Sequence, residues 1–239
     1  PTHLMHGFEY TDLVDELAGY SDAFDKIVVG EPLLTSDEDF SRVADILIEA
    51  TKEYDDGKTA ICFMGHGTEA ESNMVYSKMQ TLLTDRGFAN YYVGTVEASP
   101  SLEDLLALVK QGSYKKVVLE PLMVVAGDHA NNDMAGDDED SWKSQFTKDG
   151  SFESVNCQIE GLGRIPEIQA LYAAHTAAAL ASDPTAGTAV SGEAEGQDTD
   201  LEDGTYTATF TTDGSMFHVN EAYDNKGTLT VTDGQMTIH

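Results

Sequence analysis

A chain of 239 residues with a formal net charge of −30 is long enough for one large or two small domains, and its acidity excludes nucleic acid and anionic membrane surfaces as electrostatic partners. No apolar stretch approaches the ~20 residues that span a bilayer. The two cysteines, Cys62 and Cys157, lie far apart in separate predicted strands, which excludes a disulfide framework and a cysteine-pair metal site; both read as small core residues.

In chain order, Pro1 to Gly7 reads as the tail of a strand whose beginning lies upstream. The last residues, 227–239, stop inside an alternating strand pattern, so the sequence reads as a fragment at both ends and the absence of targeting signals carries no weight. An acidic helical segment follows Gly7, then a strand at 26–30, then a helix at 37–52 with Phe40, Val43, Ile46 and Leu47 at helical spacing. The apolar run 59–64 ends in Gly65-His66-Gly67-Thr68, a histidine at a strand end between two glycines that let a large flat ligand approach the backbone. A strand at 91–98 delivers Glu97 to the same edge.

The apolar run from Val117 to Val125 has the character of a parallel strand covered on both faces. It breaks at Gly127, so Asp128 and His129 fall just past its carboxyl end, where open α/β sheets place their ligands. Taken alone, this Asp-His pair reads more readily as the cap of a solvated acidic loop than as a site. The groups that follow, Asn131, Asn132, Asp133, Asp137, Asp138, Glu139 and Asp140, are of the kind that orient an imidazole or hold a cation. His66, Glu97 and His129 on neighbouring strand ends suit a borderline divalent ion, Co²⁺, Fe²⁺, Ni²⁺ or Zn²⁺, and spacing does not choose among them. A strand at 156–161 and a helix at 166–180, with Ile168, Leu171 and Tyr172 on one face, complete the pattern.

The chain also carries a weak internal repeat. Pro1 to Tyr10 can be laid over Pro121 to Ala130 with proline on proline, Gly7 on Gly127 and Glu9 on His129, each followed by helix, strand and helix. Two α/β lobes related in this way face each other across a cleft, with Glu9 and His129 on opposite walls.

Met64-Gly65-His66-Gly67, Gly94-Thr95-Val96-Glu97-Ala98, the run from Pro121 through Gly127-Asp128-His129-Ala130-Asn131-Asn132-Asp133-Met134-Ala135, Asp140-Ser141-Trp142-Lys143 and Gly161-Leu162-Gly163 together resemble the anaerobic sirohydrochlorin cobaltochelatases of the class II chelatase superfamily. The resemblance covers roughly Pro1 to His175. It implies two duplicated lobes with parallel sheets flanked by helices, the first incomplete (1–56) and the second whole (57–176). It implies that His66, Glu97 and His129 bind the metal, with His66, His129 and the opposing acid Glu9 as catalytic groups. Gly65, Gly67, Gly127 and Asp128 are the expected substrate-contacting positions. The implied reaction inserts Co²⁺, as substrate metal, into sirohydrochlorin in anaerobic cobalamin biosynthesis, with no organic cofactor; Fe²⁺ or Ni²⁺ insertion stays open. Because sirohydrochlorin carries many carboxylates, local cations must offset the acidity, and Lys78, Arg86, Lys143 and Arg164 are the candidates. The resemblance implies a cytoplasmic enzyme and leaves homo-oligomer formation open.

Residues 177–202 are small, polar and acidic and read as a flexible linker. From residue 203 the pattern turns to β, with alternation at 204–210 and 227–231 and turns at Asp213-Gly214 and Asp233-Gly234. This partial all-β module is similar to small modules of Gram-positive surface proteins, which implies cell-surface association and export. Met216, Phe217, His218 and Tyr223 are side chains of a kind that contacts a tetrapyrrole, although turn and core packing is the readier reading of them. A second functional class follows, an exported protein that captures metal or a haem-like tetrapyrrole without turnover. Intact metal ligands favour the enzyme.

Overall fold

The apolar runs of the sequence form a four-stranded parallel sheet in a computed structural model of the chain: β1 (Thr59–Gly65), β2 (Tyr91–Thr95), β3 (Lys116–Pro121) and β4 (Ser154–Cys157), in the order β2-β1-β3-β4. The structure describes residues 1–181 and, beyond them, the backbone of 204–209, 226–232 and 235–238. Two compact units result, Pro1–Ala186 and Gly187–His239.

Every residue of β1 is buried, as a central parallel strand requires. Its side chains alternate between two cores. Ile61 and Phe63 join Tyr91 and Val93 under helices α2 (Asp37–Thr51), α3 (Met74–Asp85) and α6 (Pro166–Ala181). Ala60, Cys62 and Met64 join Val117 and Leu119 under α4 (Leu102–Val109) and α5 (Trp142–Asp149). The register sets Ile61 opposite both Tyr91 and Val118.

Local chemistry starts and stops these helices. Ser36 and Asp39 close a capping box on α2, and Ser101 and Asp104 close another on α4. Ser141 caps α5, which ends at Gly150 with φ of 74°.

From β1 the chain goes to β2 on one side, then returns to β3 on the other. The loop leaving β1 leads to α3 on one face, and the segment leaving β3 leads to α5 on the opposite face. The ends of β1 and β3 therefore border a crevice at a topological switch point, where a ligand meets loops rather than packed helices.

Residues 1–56 contribute α1 (Phe8–Ala18) and α2 but no strand of the sheet. The expected strand at 26–30 is extended chain that lies along α6 instead. Lys26 Nζ donates to Leu180 O at 2.8 Å, and a Cβ on Gly30 would sit 3.3 Å from Thr176 N. The expected strand tail at the start survives as two backbone bonds, Leu33 N to His3 O at 3.0 Å and Leu34 N to Leu4 O at 2.8 Å. Met5, Leu33, Leu34, Phe40, Val43 and Leu47 belong to the same core as Ile61 and Phe63, so this segment seals one face of the sheet.

In the second unit β5 (Gly204–Thr209), β6 (Lys226–Thr232) and β7 (Gln235–Ile238) pair antiparallel in that order, with Tyr206 opposite Leu229 and Val231 opposite Met236. Residues 182–203 and Met216, Phe217, His218 and Tyr223 lie outside the described residues. Among the described residues no helix is long and apolar enough to cross a membrane.

Candidate metal centre

His66, Glu97 and His129 are brought together at the switch point, each offering a ligand atom within 4.8 Å of the others. Backbone bonding places the first two. Beyond the paired strand ends, Val96 N donates to Gly65 O at 3.0 Å and Glu97 N to His66 O at 2.9 Å, so backbone bonds tie the two ligand-bearing segments together just past the β1–β2 ladder. The loop after Glu97 is tied back by Thr95 N to Pro100 O at 2.7 Å.

His129 arrives differently from expectation. Strand β3 ends at Pro121, the chain then crosses 122–126 with Val125 73% exposed, and His129 opens a π-helical turn at Ala130–Met134. Ala130 and Met134 are fully buried beside Leu119, Trp142 and Phe146. Four-residue spacing then turns His129 and Asp133 toward the crevice. Asn131 braces the turn by donating to Gly127 O at 2.7 Å, and Asn132 donates to the Asp128 carboxylate at 2.6 Å.

The two imidazoles meet edge to face with ring centroids 4.5 Å apart. His66 Nδ1 lies 2.9 Å from Gly67 O and 3.6 Å from Glu97 Oε2, while His129 Nε2 lies 4.0 Å from Glu97 Oε1. His129 Nδ1 lies 2.5 Å from Asp133 Oδ2. Carbonyl and carboxylate oxygens only accept, so these contacts assign the hydrogen to Nδ1 of both rings and leave each Nε2 a free lone pair. A carboxylate behind a ligating histidine fixes ring and tautomer, the arrangement common at protein metal sites. The side chain of His129 is 28% exposed and that of His66 47%, so an ion held there stays open to a second ligand.

Of the acidic groups that follow His129, Asp133 alone contacts the ring; Asp137 pairs with Lys143 at 2.7 Å. The cations expected to meet an anionic substrate have carboxylate partners of their own. Lys78 pairs with Asp37 at 2.6 Å and lies over the Phe40 ring, Arg86 pairs with Asp45, and Arg164 with Glu160 at 3.4 Å.

A cleft of about 270 Å³ opens beside the metal ligands, lined by Thr2, His3, Met5, Glu9, His66, Gly67, Thr68, Tyr76, Met123 and Val124 among others. Glu9, in the first turn of α1, and His66 share this cleft. The glycines have separate reasons. A Cβ on Gly65 would lie 2.1 Å from the Tyr76 ring, and Gly67 has φ of 90° with Ala98 N at 2.7 Å, so internal packing alone accounts for both. Nothing lies within 4 Å of a Cβ on Gly127.

Sequence reasoning missed Tyr76, His3 and Met123 as cleft residues, and no pattern in the chain marks them. Asp133 was legible only as one carboxylate in a cluster, although its spacing of four from His129 carried the signal. Neither thiol competes for the ion: Cys62 is fully buried, and burial pushes its pKa and that of Cys157 up.

A family model described as cobalt chelatase (CbiK) matches residues 1–181. The sirohydrochlorin cobaltochelatase of Salmonella typhimurium is 34% identical over 178 residues, covering 74% of this chain and 66% of that protein. The sirohydrochlorin cobaltochelatase CbiKC of Nitratidesulfovibrio vulgaris is 36% identical over 150 residues, covering 62% of this chain and 53% of that protein. The chain thus spans just under two thirds of the first relative and about half of the second. A match over residues 1–181, on a sheet whose switch point gathers two histidines and a glutamate, makes this chain a member of the cobalt chelatase (CbiK) family.

Proposed function

We propose that this chain inserts Co²⁺ into sirohydrochlorin, with His66, Glu97 and His129 holding the incoming ion and Glu9 acting from the same cleft. The observation that carries this reading is the convergence of two imidazoles and one carboxylate beside a cleft that also contains Glu9. Family membership and the names of both relatives agree with it.

The ligand set suits transfer rather than storage. Neutral imidazoles and one carboxylate hold a borderline dication without a thiolate that would retain it. Asp133 keeps the His129 ring oriented, so Nε2 presents its lone pair without rearrangement. As four ring nitrogens bind the dication, the free-base macrocycle gives up two N–H protons, and its net charge is unchanged. Glu9 and a histidine released from the ion accept those protons and pass them to water. Residues 1–56 and 57–176 act here as two sides of one cleft, and Gly127 and Asp128, which precede His129 in the chain, are the further positions assigned to contact with the macrocycle. Fe²⁺ and Ni²⁺ suit the same donors, so supply in the cell sets the metal as much as the ligands do.

The test is an anaerobic absorbance assay with sirohydrochlorin and Co²⁺, beside Fe²⁺ and His129→Ala controls. The expected result is conversion to the metallated spectrum, lost in the variant and ranked by metal. Tetrapyrrole binding with no metallation would replace the enzyme with a capture protein. Equal rates in wild type and variant would remove His129 from the site.

A further inference from the structure

The cleft poses a charge problem that its cations do not solve. The chain has a net charge of −30, and no lysine or arginine is among the described residues lining the cleft. A macrocycle that carries many carboxylates must therefore be met there by neutral donors. Among the lining residues, Tyr76 has a buried hydroxyl whose oxygen is engaged and whose hydrogen is not.

Tyr76 is only 1% exposed, yet it forms part of the cleft wall with Glu9, His66 and Gly67. Its ring packs directly on the backbone of β1 at Gly65, where a Cβ would be 2.1 Å from Cε1, and the side chain is buried there. The Gly67 N–H donates to the phenol oxygen at 3.2 Å. With that oxygen engaged as an acceptor, the hydroxyl hydrogen is left over. Among the described residues no group accepts it, and a buried donor without an acceptor is uncommon. Glu9 does not take it, because its carboxylate folds back on its own helix, with Oε2 3.1 Å from where a Gly7 Cβ would be.

We propose that the Tyr76 hydroxyl is a substrate-binding donor that takes a carboxylate of the tetrapyrrole on the cleft wall beside His66. The assignment rests on the chelatase reading and names one contact by which the macrocycle is held. A tyrosine hydroxyl ordinarily titrates at about 10, so it has its hydrogen to give at working pH. The group is fixed before substrate arrives, so little rotamer freedom is lost on binding. Because the same oxygen accepts from the backbone that carries His66, the contact also links the seated macrocycle to one of the metal ligands.

The experiment compares the full chain with Tyr76→Phe in two separate titrations, sirohydrochlorin without metal and Co²⁺ without tetrapyrrole. Losing one charged hydrogen bond is expected to weaken sirohydrochlorin roughly 10-fold and to leave the Co²⁺ affinity within about 2-fold. Unchanged sirohydrochlorin affinity would overturn the assignment. Parallel weakening of both ligands would also overturn it, showing that Tyr76 acts only by holding the His66–Gly67 backbone. If Tyr76→Phe does not fold, 3-fluorotyrosine at position 76 carries the test. Its fluorine resonance is expected to shift with sirohydrochlorin and not with Co²⁺, and no shift with sirohydrochlorin would overturn the contact. Failure of the unaltered chain to bind sirohydrochlorin would instead remove the functional reading, and this contact with it.

Discussion

Asp133 stands one turn after His129, with its carboxylate oxygen 2.5 Å from Nδ1 of the ring, and the buried pair Ala130 and Met134 holds both in place. The carboxylate fixes the tautomer that leaves Nε2 free. Asp133→Asn keeps the shape and removes the charge, and the Co²⁺ affinity measured by calorimetry is expected to fall roughly 10- to 100-fold, as for other partners of metal-ligating histidines. Asp137→Asn, which loses only a surface pair with Lys143, is the control expected to bind normally. Equal affinity in both variants would show that the Asp133 contact leaves the ring's metal binding unaffected.

Glu120 gives the chain a pH-dependent stability unrelated to the cleft. Burial, then Glu160 and Glu53, push its pKa from the ordinary 4.5 up to about 7. The folded state therefore binds the proton more tightly than the unfolded chain does. Between pH 4.5 and 7 the unfolded chain has given it up while the folded one keeps it, so stability falls as pH rises through this window. Glu120→Gln removes the penalty. It is expected to match wild type near pH 4 and to exceed it above pH 7 by on the order of 2 kcal/mol in urea unfolding, since the side chain keeps some contact with water. A constant difference at all pH values would mean that ionisation of Glu120 is not its source.

The Gly-His-Gly segment separates packing from ligand approach. Gly65→Ala would place a methyl group inside the Tyr76 ring, with overpacking expected to cost about 1–3 kcal/mol and lower the melting temperature. Gly127→Ala meets nothing within 4 Å and is expected to melt like wild type. If Gly65→Ala melts normally and loses only tetrapyrrole binding, the glycine serves the ligand, as the sequence alone suggests.

What was legible in the sequence followed from period and punctuation. The short apolar runs ending at His66 and near Glu97 have the length and burial of central parallel strands, and both residues stand at the sheet edge expected of them. The run toward His129 misled, because Met123, Val124 and Val125 look like strand residues yet form a crossing segment. Their backbone binds Gly161 to Gly163 instead of a sheet neighbour: Leu162 N donates to Met123 O and Gly163 N to Val124 O, both at 2.9 Å. The strand at 26–30 misled for a related reason. Ile27, Val28 and Val29 have β propensity, but Lys26 bonds Leu180 O and Gly30 packs closely against Thr176, both on α6, and propensity does not name the partner. Tyr76 could not be read at all, since its role depends on one glycine of β1 and one backbone N–H that only the fold brings to it.

The acidity of the chain predicts opposite salt responses for its two substrates. At a net charge of −30 the surface concentrates Co²⁺ and repels a polycarboxylate, and neither the lining of the cleft nor the paired Lys78, Arg86, Lys143 and Arg164 reverses this locally. Salt screens both effects. Raising NaCl from about 0.05 to about 0.5 M shortens the screening length severalfold, so Co²⁺ association should slow while sirohydrochlorin association speeds up. Stopped-flow traces with each ligand alone measure this directly. Slowing of both would mean that an attractive cationic surface receives the macrocycle, and the neutral-donor account of the cleft would have to give way to it. Acceleration of sirohydrochlorin binding by salt would support neutral contacts, Tyr76 among them, as the groups that capture the macrocycle.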